Sequence, residues 1–255
     1  MTFLAIDIGN TRLKWAQYSA PHPRAELLGH GAVFLEAIDG LADGDWKDLE
    51  PPDSVFGCVV AGEAIKRRCI EQLEMWDVEP GWAVSTAQAC GVVNGYEHPH
   101  RLGVDRWASA IGARHRVLAE GGPRSAMVVM VGTAVTIDSI DASGRFLGGL
   151  ILPGFGLMQK ALESGTSGLR VPTGTVVDFP TNTSDALMTG GTQAIAGAIE
   201  RTHRRLKALS GDEPALFITG GATPKIMPIL DLPFLTVDTL IFEGLLQMQS
   251  HRLAL

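Results

Sequence analysis

The stretch LAIDIGNTRLKWAQYS, Leu4 to Ser19, carries one carboxylate, Asp7, at the end of an apolar run, followed by Gly9, Asn10 and Thr11. A carboxylate at a strand end beside a tight turn has two uses. It can hold hydrated Mg2+, which neutralises phosphoryl oxygens, or it can cap the turn by accepting backbone N–H groups. Two more apolar runs end in turns of small residues, Gly132–Thr136 and Thr219–Thr223. Each turn offers N–H groups and hydroxyls where a backbone can approach an anion closely. One such turn is common in any α/β protein; three, the first with an Asp, point to phosphate. Lys14 is either a positive charge beside that phosphate or a solvated strand lysine. Asp105 and Arg106 open a helix-like segment. An acidic residue is favoured there by the helix dipole, and a guanidinium fork suits a carboxylate or phosphate. His98 and His100 flank Pro99 without an evident third ligand, which reads as an ordinary surface loop. Met158, Met188 and Met227 read as core filler.

The elements that must position these groups follow from periodicity. Phe3–Gly9 and Leu13–Ser19 read as strands joined by Asn10–Arg12, a spacing that predicts an antiparallel hairpin. A third strand is expected near Glu26–Leu35 and a fourth over Ser54–Val60. Glu63–Trp76 reads as a helix, Trp82–Ser85 as a short strand, and Val104–Leu118 as an amphipathic helix. Then strand, small-residue turn, strand returns: Ala126–Val131, Gly132-Thr133-Ala134 and Val135–Ile140, with a further strand over Arg145–Ile151. The repeat, about half a chain away, predicts a duplicated two-lobe architecture. Leu157–Ser164 and Ser184–Leu209 read as helices, Leu216–Thr219 and Leu235–Asp238 as strands, and Leu240–Leu253 as a closing helix. Interleaved helices with hairpins predict mixed sheets.

Bulk properties narrow the partners. The chain has 255 residues, 45% hydrophobic and 19% charged, which suits an ordered protein of one large domain or two lobes. Its net charge of −7, from 21 basic and 28 acidic residues without a basic block, argues against nucleic acid and anionic membranes. A phosphate ligand must therefore be met locally, by backbone N–H groups, a few cations and a metal. Cys58, Cys69 and Cys90 lack CxxC spacing, and neither a signal peptide nor a long apolar span is read. A cytoplasmic protein is the expectation. The GxxxxGK[ST], GxGxxG, HExxH and GxSxG signatures are all missing.

The residues Asp7-Ile8-Gly9-Asn10-Thr11-Arg12-Leu13-Lys14 resemble the first phosphate motif of the acetate and sugar kinase/Hsp70/actin superfamily. Within it, the DxGN-T-x-x-K pattern is similar to that of type III pantothenate kinases. Further segments match in order: Asn94-Gly95-Tyr96 and Gly103-Val104-Asp105-Arg106 on the pantothenate side, and Gly132-Thr133-Ala134-Val135-Thr136 as second phosphate motif. Gly148-Gly149-Leu150-Ile151-Leu152-Pro153-Gly154 matches the family's dimer-side strand, and Asn182-Thr183 and Thr219-Gly220-Gly221 match later substrate and nucleotide positions. The resemblance spans nearly the whole chain.

It implies an α/β fold of two RNase H-like (actin-like ATPase) lobes with mixed sheets flanked by helices, divided here as residues 1–117 and 118–255. It implies ATP-dependent phosphorylation of pantothenate to 4′-phosphopantothenate, the first step of coenzyme A biosynthesis, by a homodimer using Mg2+ and a monovalent cation. By the same resemblance Asp7 holds Mg2+ through water, and residues 7–14 with Thr133, Gly220 and Gly221 contact ATP. Asp105 is the catalytic base, as a carboxylate is in protein kinases. Tyr96, Gly103, Val104, Asp105, Arg106 and Thr183 contact pantothenate. One position departs from the pattern. Where the family has an Asp two residues before the Gly of its GTA motif, holding K+ or NH4+, this chain has Met130. A thioether is a poor ligand for a hard cation. Two rival readings are a kinase of the same superfamily for another small alcohol, and a nucleotide-binding regulator without turnover.

Overall fold

The computed structural model describes residues 1–165 and 172–254. The chain order is β1 (Phe3–Ile8), β2 (Arg12–Tyr18), β3 (Leu27–Phe34), β4 (Ser54–Val59), α1 (Glu63–Leu73), β5 (Gly81–Trp82), β6 (Gln88–Ala89), β7 (Val92–Asn94) and α2 (Val104–Glu120). There follow β8 (Ala126–Val131), β9 (Ala134–Ile140), β10 (Arg145–Pro153), α3 (Phe155–Gly165), α4 (Thr183–Ser210), β11 (Ala215–Thr219), β12 (Leu235–Thr236) and α5 (Leu240–Leu253). No described helix is long and apolar enough to cross a membrane.

The chain forms two compact units, Met1–Ala119 with Thr239–Leu255, and Glu120–Asp238. The expected division lies at 117/118; here the first unit runs to Ala119 and also takes in α5. Small residues explain how α5 seats there. A Cβ on Gly244 would lie 1.8 Å from the Ala108 carbonyl oxygen, and one on Gly112 would lie 2.4 Å from that of Leu240. The backbones of α2 and α5 thus approach more closely than any side chain would permit.

In the first unit the sheet order is β3-β2-β1-β4-β5. The β1–β2 and β2–β3 pairs are antiparallel, and β1–β4 and β4–β5 are parallel. Every residue of β1 is buried, as a central strand covered on both faces requires. Leu4, Ile6 and Ile8 lie in a core with Leu13, Trp15, Trp46, Cys69 and Leu73. Because side chains alternate along a strand, Asp7 must point to the opposite face.

In the second unit the five strands run β12-β11-β8-β9-β10, the same order and sense of pairing as β5-β4-β1-β2-β3. The duplication expected from the repeated strand–turn–strand is present in the topology. The core here joins Met127, Val129 and Val131 of β8 to Ile195, Ile199 and Leu206 of α4. Helix α4 starts at an Asn182 cap, whose side chain accepts the Asp185 N–H at 3.0 Å, and stops at Gly211 with φ +73°.

Several boundaries differ from the sequence reading. The helix expected over Glu63–Trp76 ends at Leu73, its last turn tightening to a 3-10 helix before Asp77 turns left-handed at φ 52°. The strands expected at Trp82–Ser85 and Leu235–Asp238 shrink to Gly81–Trp82 and Leu235–Thr236. The β6–β7 hairpin was not expected.

Candidate active site

The first unit contains residues 7–14, 94–96 and 103–106. Asp7 is the penultimate residue of β1 and is only 6% exposed. Strand register sets it beside Lys14 on β2 and Cys58 on β4. The Cys58 thiol donates to Asp7 Oδ1 at 3.4 Å. Burial pushes the Asp7 carboxyl up to about 6, Lys14 opposes this, and the Asp105 charge adds to it. Beyond Asp7, the Gly9 N–H bonds the Arg12 carbonyl at 3.0 Å and closes the turn. That turn leaves Asn10, Thr11 and Arg12 exposed and Gly9 and Lys14 half-buried. Ile8 and Leu13 are buried in the core, so they can meet a ligand only through their backbone. The Arg12 guanidinium lies 4.3 Å from the Phe34 ring centre.

Asp105 stands in the first turn of α2, where its Oδ1 accepts the Arg106 N–H at 2.8 Å. Burial raises its carboxyl above the usual range, while that N–H and the Arg106 guanidinium pull it back. Gly103 makes the arrangement possible: a Cβ there would lie 2.7 Å from Asp105 Oδ1. Val104 begins the helix, and the Gly103 carbonyl accepts the Trp107 N–H at 3.0 Å. Arg106 is 4% exposed and its Nη1 donates to Tyr96 Oη at 2.9 Å. Arg106 is therefore not a solvated surface arginine.

Sequence reasoning passed over one supporting residue, Cys58, and named another, Asn94, only as part of a motif, without its structural role. Cys58 reads as one more apolar residue of β4, and only the β1–β4 register brings it to Asp7. Asn94 holds the loop that carries Tyr96: its Nδ2 donates to the carbonyls of Thr86 and Pro99 at 3.1 and 3.2 Å, and its Oδ1 accepts the Tyr96 N–H at 3.0 Å. An Asn before Gly is the signal that a turn was fixed there. The His98 and His100 rings lie 6.0 Å apart, and no group of three or more metal-ligating side chains occurs among the described residues.

The second unit carries the remaining predicted residues. Strands β8 and β11 are parallel, so their C-terminal ends share one edge of the sheet. There the exposed Gly132–Thr133 turn and the Gly220–Gly221 turn meet. Gly220 has φ +106°, and a Cβ on it would lie 2.4 Å from the Val131 carbonyl oxygen. The Ala222 N–H bonds that same oxygen at 3.0 Å. The Gly154 N–H bonds the Thr133 carbonyl at 2.9 Å, and a Cβ on Gly154 would strike Gly132 O at 2.2 Å. Backbone thus lies bare where side chains would fill the space, as a nucleotide cradle needs. Met130, half-buried, has Thr136 and Thr219 as cross-strand neighbours. Thr183 is exposed at the first residue of α4. A separate cavity of about 500 Å3, lined by Phe155, Met158, Leu162, Leu187, Met188 and Lys225 among others, includes none of the predicted site residues.

Two mixed sheets of one topology, each flanked by helices, with a carboxylate at the end of the first strand, define the actin-like ATPase and sugar kinase class of fold. Solved structures agree. One from Campylobacter jejuni, described as a Baf family transcriptional activator, matches with a TM-score of 0.61 at 22% identity, covering 99% of this chain and 100% of that one. Another from Listeria monocytogenes, described as an N-acetylmannosamine kinase, matches with a TM-score of 0.51 at 16% identity, covering 100% and 99%. These likenesses concern the fold alone. The model of the type III pantothenate kinase family matches residues 3–205. A type III pantothenate kinase from Polaromonas sp. strain JS666 is 60% identical over 254 residues, covering 100% of both chains. The chain belongs to the type III pantothenate kinase family.

Proposed function

We propose that this chain transfers the γ-phosphoryl group of ATP to the terminal hydroxyl of pantothenate, the first step of coenzyme A biosynthesis. The observation that carries the assignment of roles is the pairing, in one unit, of a buried strand-end carboxylate with a second carboxylate at a helix start, beside an arginine bonded to Tyr96.

Asp105 accepts the proton of the attacking hydroxyl. Its burial makes it a stronger base than an exposed carboxylate, and the helix N-terminus fixes where it points. The Arg106 guanidinium meets the carboxylate of pantothenate, and Tyr96, Gly103 and Val104 complete that side of the site. Thr183 is assigned to the substrate by its resemblance to the family's later substrate position. The Asn10–Arg12 turn and Lys14 take the phosphates; Thr133, Gly220 and Gly221 take the nucleotide. Asp7 would hold the divalent metal, which we assign as Mg2+; when bound it neutralises charge on the transferring group. A hard oxygen donor with one thiol contact, and no other side-chain hydrogen bond among the described residues, fits that ion. Met130, a thioether, does not fit K+ or NH4+.

We further infer a homodimer, supported by the exposure of Leu150 and Ile151, at 44% and 66%, on the strand that resembles the family's dimer side. A cytoplasmic location is supported by three free cysteines. The direct test of the base is Asp105→Asn. A drop in kcat of about 10²–10⁴-fold is expected for loss of a general base; near-normal kcat would remove Asp105 from that role.

A further inference from the structure

Asp7 and Cys58 are direct register partners on the parallel strands β1 and β4. Neighbouring strands lie about 4.8 Å apart, and aligned residues project to the same face. The Cys58 side chain is fully buried, and its Sγ–Oδ1 contact with Asp7 is 3.4 Å. The ladder continues past the pair, with the Val60 N–H on the Ile8 carbonyl at 2.9 Å, so both backbones are held. Among the described residues, Asp7 makes no other side-chain hydrogen bond. A carboxylate has two oxygens, and a side chain free to rotate would exchange them.

We propose that Cys58 is a positioning residue for the phosphoryl transfer: its thiol commits Oδ1 of Asp7 and so presents Oδ2 to the divalent metal. This rests on the reading that Asp7 is the residue that holds the metal. Groups that orient a metal ligand without touching the metal commonly set its affinity. A thiol suits this position because it packs like a small apolar residue against the core and still carries one weak donor. The chemistry needed is the donor, not the sulfur. A hydroxyl of nearly the same shape therefore substitutes for it, and a methyl group does not.

The test compares wild type with Cys58→Ala, Cys58→Ser and Asp7→Asn. Each is titrated with Mg2+ at fixed ADP while thermal stabilisation of the protein is read, so no turnover is required. Steady-state kcat and the KM for pantothenate are then measured. Cys58→Ala should need about tenfold more Mg2+ for half-maximal stabilisation, the low end of the range for such partners. Its kcat at limiting Mg2+ should fall in parallel, with the pantothenate KM unchanged. Cys58→Ser should stay near wild type. Wild-type Mg2+ dependence in Cys58→Ala, or equal impairment of the Ala and Ser variants, would overturn the proposal. Asp7→Asn separates the two levels. If it loses the Mg2+ response while Cys58→Ala keeps it, only the role of the thiol falls. If Asp7→Asn itself keeps the response, the metal reading of Asp7 falls.

Discussion

Replacing Asp7 by Asn should make the ligand-free protein more stable while removing its metal-dependent activity. The carboxyl is raised from 3.8 to about 6, chiefly by burial. The folded state therefore binds the proton more tightly than the unfolded chain does. The contribution of Asp7 to stability is greatest below about pH 4, falls as pH rises from about 4 to about 6, and above that stays at its reduced level. A tenfold change in proton affinity corresponds to about 1.36 kcal/mol, so the rise from 3.8 to about 6 costs about 3 kcal/mol at pH 7.5. An amide of the same shape cannot ionise and is spared that cost. That figure is net of the Lys14 attraction, which opposes the rise and is already contained in it. For a chain of this length it corresponds to a rise in Tm of roughly 6–12 °C. The assay is calorimetry at pH 7.5 and pH 4, without nucleotide or metal. The expected result is a clear gain for Asp7→Asn at pH 7.5 that vanishes at pH 4. A variant less stable than wild type at pH 7.5, or a difference independent of pH, would refute the reasoning. Stability given up at a reactive centre is a common feature of enzymes.

Two further perturbations follow from backbone geometry. Gly103→Ala would place a Cβ 2.7 Å from Asp105 Oδ1 and displace the carboxylate. Misplacement by about 1 Å costs about 10²-fold, so kcat should fall by that order with little change in Tm; unchanged kcat would show that Asp105 does not need its present seat. Cys90, with φ 49°, precedes Gly91, with φ 74°, in the two-residue turn between β6 and β7. Asn-Gly is the favoured pair for such a turn, so Cys90→Asn should add about 0.5–1 kcal/mol, read as a higher urea midpoint. A lower midpoint would mean that the Cys90 side chain makes a contact worth more than its backbone strain.

The duplicated architecture was legible because each half opens with the same local signal, an apolar run broken by a glycine turn. Asp7 stood out for the same reason: a charge closing a buried strand needs an explanation that local structure alone does not supply. Asp105 and Arg106 were visible as a helix start. What local pattern could not show was pairing across the chain. Cys58 lies 51 residues from Asp7, and nothing near either residue sets the parallel register that joins them. The β6–β7 hairpin was missed because two- and three-residue strands show no period. The return of α5 to the first unit turns on Gly112 and Gly244, whose importance lies in a backbone approach that no window of sequence contains. Arg106 could not be placed inside or outside until its bond to Tyr96 was seen.

Phosphoryl transfer from ATP to pantothenate is tested most directly with purified protein, ATP, Mg2+ and pantothenate. The product is read by mass spectrometry, with sodium, potassium or ammonium as the sole monovalent cation. The expected result is 4′-phosphopantothenate with all three salts, sodium included, because Met130 offers no ligand for a required cation. Absence of product in every salt, from folded protein that binds ATP, would contradict it.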